Sequence, residues 1–141
     1  CWKDDSYYLI AYSAKHDGFA HYRVDRMSNA SVLDEPRDNI GKDRFDVAEY
    51  TKRIFGMYNG ELIHATLSFD PSLVNVVFDR FGRDVHITEE ENGWVRFSAD
   101  VSASPVFLGW LLQFGKKAKI LAPDSLINSM KTLISDAAKN Y

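Results

Sequence analysis

Alternation and helical spacing divide the chain into short elements. Residues 6–12 read SYYLIAY, a run of β-formers. Asp17-Gly18 is a turn signal. Residues 19–27, FAHYRVDRM, then set Tyr22 and Val24 against the charged Arg23 and Asp25. The two runs predict a hairpin. Residues 33–44 are polar, contain Pro36 and Gly41, and read as a linker. A short helix follows, with Asp46 as cap, Glu49 three residues on as in a capping box, and Phe45 placed to staple Tyr50. Asn59-Gly60 closes that region.

From Glu61 the pattern is more ordered. Residues 61–69 alternate around Leu62, Ala65, Leu67 and Phe69 and predict a strand. Asp70-Pro71 then opens a helix, with the proline at its first position. Val74, Val77, Phe78 and Phe81 follow helical spacing, and Gly82 stops it. Residues 85–91 and 94–101 flank Asn92-Gly93, the strongest short hairpin signal in the chain. Ser104-Pro105 opens a second helix that Gly115 closes. Residues 119–122 predict a strand, and Pro123 opens a last helix with Leu126, Met130, Leu133, Ile134 and Ala137 along one face. The order is β-α-β-β-α-β plus a terminal helix. That predicts an α+β fold with a ferredoxin-like four-stranded antiparallel sheet against two helices.

Composition narrows the class. The chain has 141 residues, 45% hydrophobic and 26% charged, as a globular protein has. The longest apolar run, residues 106–112, is far short of the ~20 residues that span a bilayer, so no membrane partner is expected. Net charge is −3; up to Tyr58 there are 9 basic and 10 acidic residues, and 8 and 10 after it. Neither half is a basic nucleic-acid arm, so nucleic-acid binding needs a local patch. With Cys1 alone, no intrachain disulfide and no multi-thiolate zinc site can form. His16, His21, His64 and His86 show no metal-ligand spacing. No metal and no cofactor is expected. A start at Cys rather than Met reads as a fragment or processed chain.

The residues resemble the C-terminal part of bacterial WYL-domain transcriptional regulators. Tyr7-Tyr8-Leu9 is similar to the family's Trp-Tyr-Leu strand, with Tyr in place of Trp. Residues 20–27, AHYRVDRM, resemble the strand that follows it and keep both later arginines, Arg23 and Arg26, while Ala20 stands at the first basic position. Residues 45–60 fit the short helix that closes the WYL region. Arg80-Phe81-Gly82, Gly93-Trp94-Val95, residues 110–115 (WLLQFG) and Leu121-Ala122-Pro123 resemble the WYL C-terminal extension, WCX. The resemblance implies two parts. Residues 1–58 would hold the last strands of an Sm-like or SH3-like β-barrel, the WYL domain. Residues 59–141 would be the ferredoxin-like extension. It further implies a cytoplasmic homodimer that senses a nucleic-acid or nucleotide-like effector. Operator DNA would be met only by a helix-turn-helix domain that this sequence does not include.

The candidate ligand-binding residues are Tyr8, His21, Arg23, Arg26 and Arg80. Arg23 grips phosphate with paired N–H donors, and His21 adds another donor. The plain alternative is an ion pair of Arg23 with Asp25. Three residues apart, Arg23 and Arg26 face opposite sides of a regular strand: Arg23 lies with His21 and Asp25, Arg26 with Tyr22 and Val24. Tyr8 would stack on a base, whereas Tyr7 and Leu9 on the other face are read as core. Arg80 closes a helix, where a cation suits the dipole, or reaches effector across a subunit boundary. Trp110 is read as core or dimer packing. A phosphate-cradling glycine loop, a nucleophile paired with its base and a paired-carboxylate site are all missing from the sequence, which argues against an enzyme. The alternative to sensing is a purely structural dimerisation or assembly module.

Overall fold

The computed structural model describes residues 1–3, 5–15, 17–36, 50–51, 54 and 61–141. The elements form two antiparallel sheets with helices, an α+β architecture. The first sheet joins β1 (Trp2–Lys3), β2 (Ser6–Ser13) and β3 (Gly18–Arg23) in that order. The predicted hairpin is present. Its second strand stops at Arg23, four residues short of the predicted end, and Val24–Arg26 form a 3-10 turn closed by Met27 N–H donating to the Val24 carbonyl at 3.2 Å. The helix predicted from Asp46 and Glu49, with its Phe45–Tyr50 staple, lies outside the described residues, apart from Tyr50 and Thr51, which are helical.

From Glu61 the elements run β4 (Glu61–Phe69), α1 (Val74–Phe81), β5 (Ile87–Glu89), β6 (Val95–Ala103), α2 (Pro105–Leu112), β7 (Ala118–Ala122) and α3 (Asp124–Ala138). The second sheet has the order β5-β6-β4-β7, all antiparallel. Local chemistry sets most of these boundaries, although α2 ends at Leu112 rather than at Gly115, which begins a 3-10 turn, and α1 starts at Val74 after a 3-10 turn from Pro71. The Asp70 carboxylate accepts from Ser72 N–H at 2.9 Å, and Pro71 begins a 3-10 turn that leads into α1. Gly82 ends α1 at φ +91°, where a Cβ is disfavoured. Ser104 Oγ accepts from Phe107 N–H at 3.2 Å and caps α2. The Asn92-Gly93 hairpin differs from a two-residue turn. Glu90 N–H donates to the Trp94 carbonyl and Gly93 N–H to the Glu90 carbonyl, so the loop holds three residues with Gly93 at φ +79°.

The period of two along β4 and β6 places the core. Ala65, Leu67 and Phe69 on β4 and Val95, Phe97 and Val101 on β6 are buried, facing Val77 of α1 and Phe107, Leu108 and Leu111 of α2. Trp110 packs in this core: its ring meets Phe69, Phe81, Phe107 and Phe114 at centroid distances of 5.1 to 6.2 Å. On the other face of the sheet polar side chains pair across strands, His64 with Asp100 and Thr66 with Ser98.

Candidate functional site

Strand register decides which candidate residues share a surface. Tyr8 lies opposite Arg23, Ile10 opposite His21 and Tyr12 opposite Phe19. Directly opposed residues of an antiparallel pair project from the same face. Tyr8, His21 and Arg23 are therefore brought together on one face of the hairpin, all three half-buried. Tyr50 covers part of that face, with its ring 5.6 Å from both Phe19 and His21. Burial pushes the Tyr50 hydroxyl pKa above its ordinary value. The sequence points Tyr50 toward Phe45; its contacts with Phe19 and His21 are long-range and carry no local signal.

The opposite face of the hairpin holds Tyr7, Leu9 and Tyr22, with Trp2 packed edge-on against Tyr7 at 4.7 Å. Tyr7 and Leu9 are not core: they are 62% and 49% exposed. The alternation is as predicted, but the covered side is the Tyr8 side, where Tyr50 packs on Phe19 and His21.

Arg23 is clasped by Asp25. Its Nε donates to Oδ1 at 3.0 Å and its Nη2 to Oδ2 at 2.6 Å. This two-point geometry is the one a phosphate takes on a guanidinium. The hydrogen bond from Arg23, with its charge, holds the Asp25 carboxyl below the usual carboxylate range. Hydrogen bonding to Asp25 likewise raises the Arg23 pKa.

Arg26 lies elsewhere. It is the last residue of the 3-10 turn and exposed, so it belongs to neither face of β3, and the strand-face placement with Tyr22 and Val24 does not hold. The turn forms because Asp25 folds back onto Arg23 and Met27 closes on Val24. Arg80 sits in the last turn of α1, and its Nη2 donates to the Ile54 carbonyl at 2.8 Å. It thereby ties the helix to the segment that precedes β4.

Among the described residues no group of three or more His, Cys, Asp or Glu is placed to hold a metal ion. No helix among them is long and apolar enough to cross a membrane. The hairpin surface offers a guanidinium, an imidazole and a phenol on one face: hydrogen-bond donors for an anion and a ring for stacking.

Comparison with known proteins agrees with the sequence patterns. The WCX domain family matches residues 61–138, and the WYL domain family matches residues 1–32. The chain is 26% identical over 140 residues to the uncharacterized HTH-type transcriptional regulator YobV of Bacillus subtilis (strain 168). That alignment covers 99% of this chain and 44% of the relative, so the chain spans less than half of the relative's length. Among solved structures, the proteasome accessory factor B/C (PafBC) of Arthrobacter aurescens aligns with 20% identity and a TM-score of 0.41, covering 89% of this chain and 19% of that one.

Proposed function

The chain belongs to the WYL- and WCX-domain transcription regulators, and from that membership we propose that it is the effector-sensing and dimerisation region of such a protein. The effector is a nucleic acid or nucleotide-like ligand, and the region does no catalysis. Tyr8, His21 and Arg23 form the recognition face, with Arg26 and Arg80 as further ligand-binding cations. The observation that supports this reading is the strand register that brings Tyr8, His21 and Arg23 onto one face of the hairpin.

The fold reading follows the same lines. The sheet order β5-β6-β4-β7 with its β-α-β-β-α-β connectivity supports a ferredoxin-like domain over residues 59–141. Strands β1 to β3 are then the last strands of an Sm-like barrel within residues 1–58. In this proposal the regulator is a homodimer acting in the cytoplasm. Effector favours one dimer arrangement, and a helix-turn-helix domain elsewhere in the regulator meets operator DNA.

The test is fluorescence anisotropy of a labelled short single-stranded DNA titrated with the protein. With about three phosphates neutralised, affinity should fall roughly 10- to 20-fold between about 50 and 200 mM salt. Arg23→Ala should weaken binding and leave the dimer intact. Salt-independent binding, or binding that Arg23→Ala leaves unchanged, sinks the phosphate-gripping role. The Arg23–Asp25 pairing favours a second reading, a purely structural dimerisation or assembly module in which Arg23 serves only the turn. No binding at either salt, with the dimer retained, would select that reading.

A further inference from the structure

Strand β7 lies at the end of the four-stranded sheet and, among the described residues, pairs with β4 alone. Among those residues its outer side is an open edge, the kind of backbone that accepts another strand. Beside it a groove of about 280 Å³ is lined by Leu112, Ile120, Met130 and Ile134, with Lys119 and Lys131. Leu112 is 42% and Ile134 46% exposed, so the apolar stripe of α3 runs beyond what the core covers. Across the edge, Leu121 is exposed on the other side of β7, alternating with Ala118 and Ile120. Each side of this edge thus offers apolar surface with a lysine at hand, and no carboxylate lines the groove.

A complementary segment exists in the same chain. Residues 27–36 form no strand or helix, and all are exposed. Val32 is 99% and Leu33 70% exposed, and Asp34 and Glu35 follow directly. In an extended strand side chains alternate between faces. One face would then carry Val32 with Asp34 and the other Leu33 with Glu35, an apolar group and an acid on each. Residues 30–35 extended would reach about 20 Å, enough to run the length of a five-residue strand.

We propose that residues 30–35 of a second copy of this chain add as a strand to the open edge of β7. Val32 and Leu33 occupy the groove and the Leu121 side, and Asp34 and Glu35 meet Lys119 and Lys131. Main-chain bonds supply the pairing and the side-chain pockets the specificity. A second copy is the fitting occupant because its segment complements the edge: Val32 and Leu33 beside two acids, against Ile120, Ile134 and Leu121 beside Lys119 and Lys131. Reciprocal exchange between two copies closes a two-fold dimer. The inference rests on the homodimer proposed above and names its surfaces.

The test is sedimentation equilibrium of the full chain and four variants, with thermal melts to verify folding. The double variant Val32→Asp, Leu33→Asp and the single variant Ile134→Asp should each weaken dimerisation at least about 10-fold. Val32 and Leu33 are so exposed that their replacement leaves the single chain's fold intact. Lys119→Glu with Lys131→Glu should weaken the dimer about fivefold, and combining the pair with Asp34→Lys, Glu35→Lys should restore it to within about twofold. A dimer unmoved by all of these overturns the strand exchange while the homodimer stands. A wild-type chain that remains monomeric at high concentration overturns both.

Discussion

Asp25 governs what Arg23 can do. Its carboxylate occupies the donor pair that a phosphate would use, so the anionic effector proposed above would have to displace it. Asp25→Asn removes the competing charge, and anion affinity should rise about two- to fivefold, the usual scale of an exposed pair, as read by anisotropy. The pH dependence follows from the direction of the shift. With the Asp25 pKa lowered by Arg23, the pair is intact above the ordinary carboxylate range and breaks only as pH falls through the lowered value. The clasp is therefore constant between about pH 5 and 8. Glu90 follows the same sign. Its pKa is lowered first by the Ser68 hydroxyl, which donates at 2.8 Å, and then by Arg96 at 2.8 Å. Stability from this cluster is present near neutrality and lost as pH drops through that lowered value. Glu90→Gln should lower the urea midpoint at pH 7, and the gap from wild type should close toward about pH 3. Ser68 is buried, so its hydroxyl depends on this acceptor.

At the scale of the element, caps and turns carry local stability. Ser104 is buried and caps α2 through Phe107 N–H, so Ser104→Ala should cost about 1 kcal/mol in urea unfolding, and Ser104→Gly only a few tenths. Gly93 holds the left-handed position of its hairpin, and Gly93→Ala should cost about 1 kcal/mol through backbone strain. Both boundaries were legible in the sequence, because a cap or a hairpin turn is decided within a few residues. The end of β3 was not. Alternation through Met27 continues the strand on paper, whereas the chain turns at Val24 because Asp25 satisfies Arg23. Hydropathy period does not encode that choice between two hydrogen-bonding partners.

At the scale of the whole molecule, the second sheet supplies the main core and the hairpin supplies the candidate surface. Phe69 is fully buried beneath Phe97, Trp110 and Phe114, so Phe69→Ala should cost about 3–5 kcal/mol, measurable by urea unfolding. The sequence by itself determined the element order from Glu61, the caps at Asp70 and Ser104, the stop at Gly82, the turn at Asn92-Gly93 and the alternation of β4 from Ala65 to Phe69; Leu62, counted with these apolar positions, lies on the other face and is exposed. Each rests on spacing or on a contact a few residues long. It also carried the family, through the order of its short motifs. Only the tertiary structure decided that Tyr50 packs on Phe19 and His21, on the face that also carries Tyr8 and Arg23, and that Tyr7 and Leu9 stay exposed. It alone set Arg80 against the Ile54 carbonyl and left the β7 edge unpaired among the described residues, beside an apolar groove. These outcomes depend on contacts between residues distant in sequence, and alternation names the two faces of a strand without naming the one that will be covered.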